Sequence, residues 1–168
     1  MIGLKNILVA TDFGEAADAA LTYGRALADQ FGATLHVLHV AQNGYINALG
    51  AENFATIAPN LQRELEKAAR KELDELLIDS DGSGVRTRPV VLTSSSPAFA
   101  IVDYAGGNNI DLIVMGTHGR GTLAHIFMGS VAERVVRMAQ CPVLTVKHPE
   151  HEFVRADTLQ SINRAEAR

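Results

Sequence analysis

Three glycines and a serine stand in a fixed spacing late in the chain: Gly116-Thr117-His118-Gly119, nine residues, then Gly129-Ser130. An apolar run, Asp111-Leu112-Ile113-Val114-Met115, precedes them, and a helix start, Ser130-Val131-Ala132-Glu133, follows. Glycines at the carboxyl end of a strand let the main chain approach an anion with no side chain between them. The unbonded N–H groups of the next helix's first turn, together with its dipole, then bind the negative charge. The chemistry offered is that of a phosphate site.

Each residue of the pattern also has a plainer role. Gly116 and Gly119 serve equally as turn glycines. Ser130-x-x-Glu133 reads as a capping box, which accounts for the serine by itself. A cap needs no glycine before it, whereas close phosphate approach does, so Gly129 keeps the anion reading open. His118 is open to three roles: ligand, base or turn residue. Arg120 either neutralises phosphate charge or is solvated. At the other end of the chain, Asp12 follows an apolar run. Asp12-x-x-Glu15 resembles a helix cap, and the carboxylate is equally able to take a hydroxyl or amino group of a ligand.

The elements that must bring these segments together alternate. Lys5–Thr11 is a short continuous apolar run, as expected of a strand buried on both faces. Residues 15–31 place Ala17, Ala20, Leu21, Gly24, Leu27, Ala28 and Phe31 on one helical face, with Gly32 as C-cap. Thr34–Val40 is a second strand. Residues 41–58 fit a short helix or a lid, and Pro59 suits the first turn of the helix that follows, in which Glu66 can pair with Arg70. A third strand spans about Val85–Thr93. Ser96-Pro97 begins a helix to about Tyr104, which Gly106-Gly107 stops. Residues 111–115 and 143–146 are the fourth and fifth strands, with a helix over 130–139 between them.

Such alternation implies an open α/β parallel sheet of order 3-2-1-4-5 with helices on both faces. Ligands of such sheets sit outside the carboxyl ends of the strands where the order reverses, here between strands one and four. Thr11-Asp12 and Met115-Gly116 end those strands, so segments a hundred residues apart face one crevice.

Composition narrows the class. The chain has 168 residues, enough for one domain without disulfide or metal staples. Its net charge of −4 argues against nucleic acid as a partner. No apolar run approaches a membrane span and no signal peptide is visible, so a cytoplasmic protein is expected. The single cysteine, Cys141, reads as a small half-buried residue and not a catalytic thiol. His36 and His39 lie three apart on a strand and point to opposite faces, so they cannot share a metal. No Walker-type loop, dinucleotide fingerprint or nucleophile elbow is present, and no nucleophile–base pair emerges. The residues describe a binding site with weak or no catalysis.

Glycine, two residues, glycine, nine residues, glycine and serine, as Gly116–Ser130 has it, resembles the nucleotide-binding signature of the universal stress protein family. Ile7-Leu8-Val9-Ala10-Thr11-Asp12 is similar to that family's first strand, and Cys141-Pro142-Val143-Leu144-Thr145-Val146 to its last. The likeness spans about residues 3–147, which gives one domain over 1–147 and a polar tail over 148–168. It implies the ATP-binding branch. Asp12 and the Val40 backbone would contact the adenosine end, beside Ala10 and Thr11. Met115 and Gly116 would line the ribose and phosphates. Gly119, Gly129, Ser130 and Val131 would cradle the phosphates, with His118 and Arg120 alongside and a Mg2+ ion held by phosphate oxygens, not by side chains. Ala10 departs from a frequent proline, and Ser95-Ser96-Pro97 from a common glycine-x-proline.

A stress-response regulator read by an unknown protein partner is the implied function. The alternatives are a slow ATPase or nucleotidyl transferase using His118 or Asp12, and a nucleotide-free interaction module. The apolar fifth strand, Val143, Leu144 and Val146, would pair with its copy in a homodimer.

Overall fold

The computed structural model describes residues 3–41, 43, 54–78, 84–118 and 128–147. In chain order the elements are β1 (Asn6–Thr11), α1 (Glu15–Phe31), β2 (Thr34–Ala41), α2 (Phe54–Ile78), β3 (Thr87–Thr93), α3 (Pro97–Gly107), β4 (Leu112–Gly116), α4 (Ser130–Met138) and β5 (Val143–Val146). The five strands form one parallel sheet of order β3-β2-β1-β4-β5, as the alternation implies. β1 is central, paired with β2 from Asn6↔Thr34 to Thr11↔His39 and with β4 from Ile7↔Leu112 to Ala10↔Met115.

Burial on both faces explains the continuous apolar runs. Ile7 and Val9 face α1 and α2 in a cluster with Ala20, Leu21, Leu35, Val37 and Leu73. Leu8 and Ala10 face α3 and α4 in a second cluster with Leu38, Ile101, Ile113 and Val135. α1 lies so close to β1 that a Cβ on Gly24 would run into Cγ2 of Val9. Gly32 ends α1 in the left-handed conformation at φ 62°, its N–H on the Asp29 carbonyl.

Several boundaries differ from expectation. α2 starts at Phe54, so Pro59 lies in its second turn and not its first. A proline there forfeits the hydrogen bond to the carbonyl four residues back, a cost the helix bears. Residues 42 and 44–53, the rest of the expected lid, lie outside the described residues. Gly106 and Gly107 do not stop α3; they form its last turn. Asn108 donates from its backbone and from Nδ2 to the Tyr104 carbonyl, and Asn109 turns left-handed at φ 50°. Asparagine tolerates that region because its short polar side chain bonds locally. Glu66 does not pair with Arg70. Its Oε1 accepts from Thr93 Oγ1 at 2.7 Å and from Gln62 Nε2 at 2.6 Å, which ties α2 to the end of β3, and Arg70 pairs instead with Asp74 at 3.3 Å.

The two edges are unlike. Leu35 donates to the Arg86 carbonyl and Ser94 to the Ala41 carbonyl, so even-numbered residues of β3 bond inward and Pro89 faces the open side. A proline on the outer side of an edge strand removes a donor that a second sheet would use. On β5 the corresponding outward groups belong to Val143 and Thr145, both with N–H, because Pro142 and Val146 supply the carbonyls that β4 uses.

Candidate functional site

β1 ends in a tight turn held by its own side chains. Thr11 Oγ1 accepts the Phe13 N–H at 2.9 Å, and Asp12 Oδ1 accepts the Gly14 N–H at 3.1 Å. Asp12 is therefore the acceptor of a turn and not the cap of α1. The cap position belongs to Gly14, which has no side chain to cap the helix. Phe13 itself sits at φ 62°, a region costly for a bulky side chain.

β4 ends beside it. Thr117 donates its N–H to the Val146 carbonyl at 2.8 Å and accepts the Gly129 N–H on its own carbonyl at 2.7 Å. The chain thus leaves and re-enters the sheet's rim at one point, and the bond fixes where α4 begins. Gly129 is the N-cap, at φ −70° and ψ 153°, and no side chain among the described residues caps the helix. Ser130 is the first helical residue, so the capping box expected of Ser130 and Glu133 does not form. The first-turn N–H groups of α4 open on the space between the two strand ends.

That space is a cleft of about 500 Å³, within the range of small-ligand sites. Leu38, Met115, Ile101 and Ala132 give it an apolar floor, while Asp12, His118 and the run Gly129-Ser130-Val131 give it a polar rim. Ala10, Thr11, Val40 and Gly116 line it as well. Gly119 and Arg120 lie outside the described residues. Gly116 has a packing reason for lacking a side chain: its Cβ would stand 2.9 Å from the carbonyl carbon and oxygen of Ala16. Gly129 has backbone angles open to any residue, so its bareness answers no conformational need. His118 accepts or donates at Nδ1 against Thr117 Oγ1, 2.8 Å away.

Sequence reasoning missed Ala17, Leu38, His39, Pro97, Ile101, Thr117 and Ala132, which complete the lining. Leu38 was within reach, because it shares a strand face with Val40 two residues on. Ile101 follows Pro97 by one helical turn.

No lysine or arginine stands among the described lining residues. An anion bound there meets main-chain N–H groups, the dipole of α4 and, at the far rim, the Asp12 carboxylate. Phosphate belongs at the α4 end, away from Asp12, and a neutral hydroxyl-bearing group beside Asp12. Cys141 is remote from the cleft at the opposite end of the sheet, and burial pushes its thiol pKa up. His36 is 3% exposed and shares a 2.8 Å hydrogen bond at Nδ1 with the Tyr104 hydroxyl, on the α3 side of the sheet. His39 turns the other way: its Nδ1 lies 2.9 Å from the Thr11 carbonyl.

The sequence profile described as "Universal stress protein family" matches residues 3–147. A universal stress protein from Thermus aquaticus is 36% identical over 85% of this chain and 98% of its own length. Among solved structures, that of MJ0577, a universal stress protein of Methanocaldococcus jannaschii, superposes with a TM-score of 0.77 at 28% identity, over 89% of this chain and all of that one. A universal stress protein solved in complex with cAMP shares the fold at a TM-score of 0.64 and 20% identity, over 87% of this chain and 98% of that one. The matching sequence profile and the fold shared with its members agree: the chain belongs to the universal stress protein family.

Proposed function

We propose that the chain binds ATP in the cleft between β1 and β4 and acts as a stress-response regulator whose protein partners read the occupied state. One observation carries this reading. α4 opens onto an apolar-floored cleft with no cap among the described side chains, and it is preceded by Gly129, whose missing side chain no backbone angle requires. Purine fits the floor of Leu38, Val40 and Ile101, ribose the Asp12 side, and phosphates the Gly129-Ser130-Val131 main chain. Ala10, Thr11, Met115 and Gly116 form the wall between. With no described lysine or arginine in the lining, a divalent cation on the phosphate oxygens supplies the missing positive charge. The cAMP complex of a family member of the same fold supports an adenine nucleotide as the ligand class.

The test is direct. Freshly purified protein is denatured and any released nucleotide identified by mass, then ATP and Mg2+ binding is titrated for the wild type and Gly129→Val. The variant is expected to lose at least about tenfold in affinity with its thermal midpoint unchanged, as for a surface substitution. Normal ATP binding by Gly129→Val rejects the site.

The β5 edge supports a homodimer of this family member. Val143 and Thr145 point their N–H groups outward, and Leu144 is 36% exposed. Val146, expected at that edge, is instead buried against α1 in the core, so main-chain pairing flanked by Val143 and Leu144 is the contact proposed. Thr145→Pro removes an outward donor, as Pro89 does on β3, without breaking the β4 ladder. It is expected to sediment as a folded monomer where the wild type sediments as a dimer. No described helix is long and apolar enough to cross a membrane, and we place the regulator in the cytoplasm.

A further inference from the structure

We propose that His39 is a positioning residue that fixes the Asp12 carboxylate for the ribose hydroxyls of the bound nucleotide. This rests on the nucleotide reading above.

His39 and Thr11 form the last register pair between β1 and β2. Beyond it the chain makes the Thr11-Asp12-Phe13-Gly14 turn, whose backbone is strained at Phe13, φ 62°. Such a conformation persists only where its surroundings hold it. Two contacts from inside the turn do so, Phe13 N–H on Thr11 Oγ1 and Gly14 N–H on Asp12 Oδ1. Two more come from His39. Its ring stacks on that of Phe13 with centroids 4.3 Å apart and planes inclined by 30°. Its Nδ1 lies 2.9 Å from the Thr11 carbonyl oxygen. A carbonyl only accepts, so Nδ1 carries the proton and donates. One side chain therefore grips both ends of the turn, its first carbonyl and its strained ring, and Asp12 lies between the two.

What the turn presents is a carboxylate on the wall of the cleft. Placed across from the anion-binding end of α4, it repels phosphate and accepts hydrogen bonds from neutral hydroxyls. A vicinal diol gives it two donors. If the turn relaxes, Phe13 leaves the left-handed region and the Asp12 carboxylate moves with it, while the α4 end is untouched. Loss of His39 is thus a loss of hydroxyl recognition, not of phosphate binding.

The experiment is calorimetric titration with ATP and with 2′,3′-dideoxy-ATP, both with Mg2+, on the wild type, His39→Ala and His39→Phe. The two nucleotides share base and phosphates and differ in the diol. The wild type is expected to prefer ATP by about tenfold, the effect of hydrogen bonds to a charged acceptor. His39→Ala is expected to bring that ratio close to one, with the larger loss falling on ATP. His39→Phe keeps the stack and loses the donor, so it is expected to fall between the two, and it retains the test should the alanine variant fold poorly. An unchanged ratio in both variants, or an equal loss for both nucleotides, overturns the positioning role while leaving the nucleotide reading in place. A wild type that binds neither nucleotide rejects both.

Discussion

On one face of the sheet lie α1 and α2, 17 and 25 residues long; on the other lie α3 and α4, 11 and 9 residues long. The long pair closes its face. Ile7, Val9, Leu35, Val37 and Leu73 are fully enclosed there, and α1 is drawn so near that Gly24 has no room for a side chain. Among the described residues, the short pair covers its face only in part. Leu8, Leu38 and Ile113 are as deeply buried, but toward the carboxyl ends of the strands the packing stops and the cleft begins. This face also carries the buried polar pair of His36 and Tyr104. The sheet is thus covered asymmetrically, with one face spent on packing and the other leaving a cleft where helix N-termini converge.

The sharpest way to break that contrast is to add volume to each face. Gly24→Leu puts a side chain where Val9 already stands, and overpacking of this kind is expected to cost about 3 kcal/mol. Urea denaturation reads the loss, and the folded fraction should still bind ATP with wild-type affinity. Ala10→Leu adds bulk on the other face, where Ala10 lines the cleft. There the added methyl groups find space, so the expected cost is under about 1 kcal/mol. ATP affinity should nevertheless fall by about tenfold or more, because the side chain occupies ligand volume. Equal stability losses in the two variants would mean that the faces are packed alike.

The asymmetry was only partly legible in the sequence. The strand order could be read because a parallel sheet buried on both faces demands continuous apolar runs, as in Ile7-Leu8-Val9-Ala10, and because the amphipathic helices alternate with them. The glycine pattern and Asp12 could be placed together because strands one and four flank the point where the order reverses. What escaped depends on contacts between distant residues. Ser130 reads locally as a cap, yet the bond from Gly129 to the Thr117 carbonyl sets the helix start one residue earlier. Gly116 reads as part of a phosphate loop, yet the approach of Ala16 already excludes its side chain. Pro59 reads as a helix start, and a helix interior absorbs it. Ile101 and Pro97 reach the cleft only because of how α3 crosses the sheet, which no local pattern states.

The smallest effect expected comes from the polar pair on the open face, and its sign separates the two faces by pH. His36 lies between β2 and α3, hydrogen-bonded to Tyr104, with Arg88 of β3 as the charged neighbour. Burial first, then the Arg88 charge, holds its pKa below the ordinary 6.5. The unfolded chain therefore binds this proton more readily than the native one. Stability from this site is complete above pH 6.5 and is lost as pH falls through the lower native value. Glu66, on the α2 side, is also held low, by its bonds from Thr93 and Gln62, but it titrates only below its ordinary 4.5. In the interval between those two values, the α3 face should weaken while the Glu66 link persists. His36→Gln keeps a hydrogen-bonding side chain and removes the titration. Its stability measured by urea across pH 5 to 7 is expected to fall less steeply than that of the wild type. Identical slopes would show that His36 does not report on this face, and the polar pair would then be no weaker than the dry packing opposite.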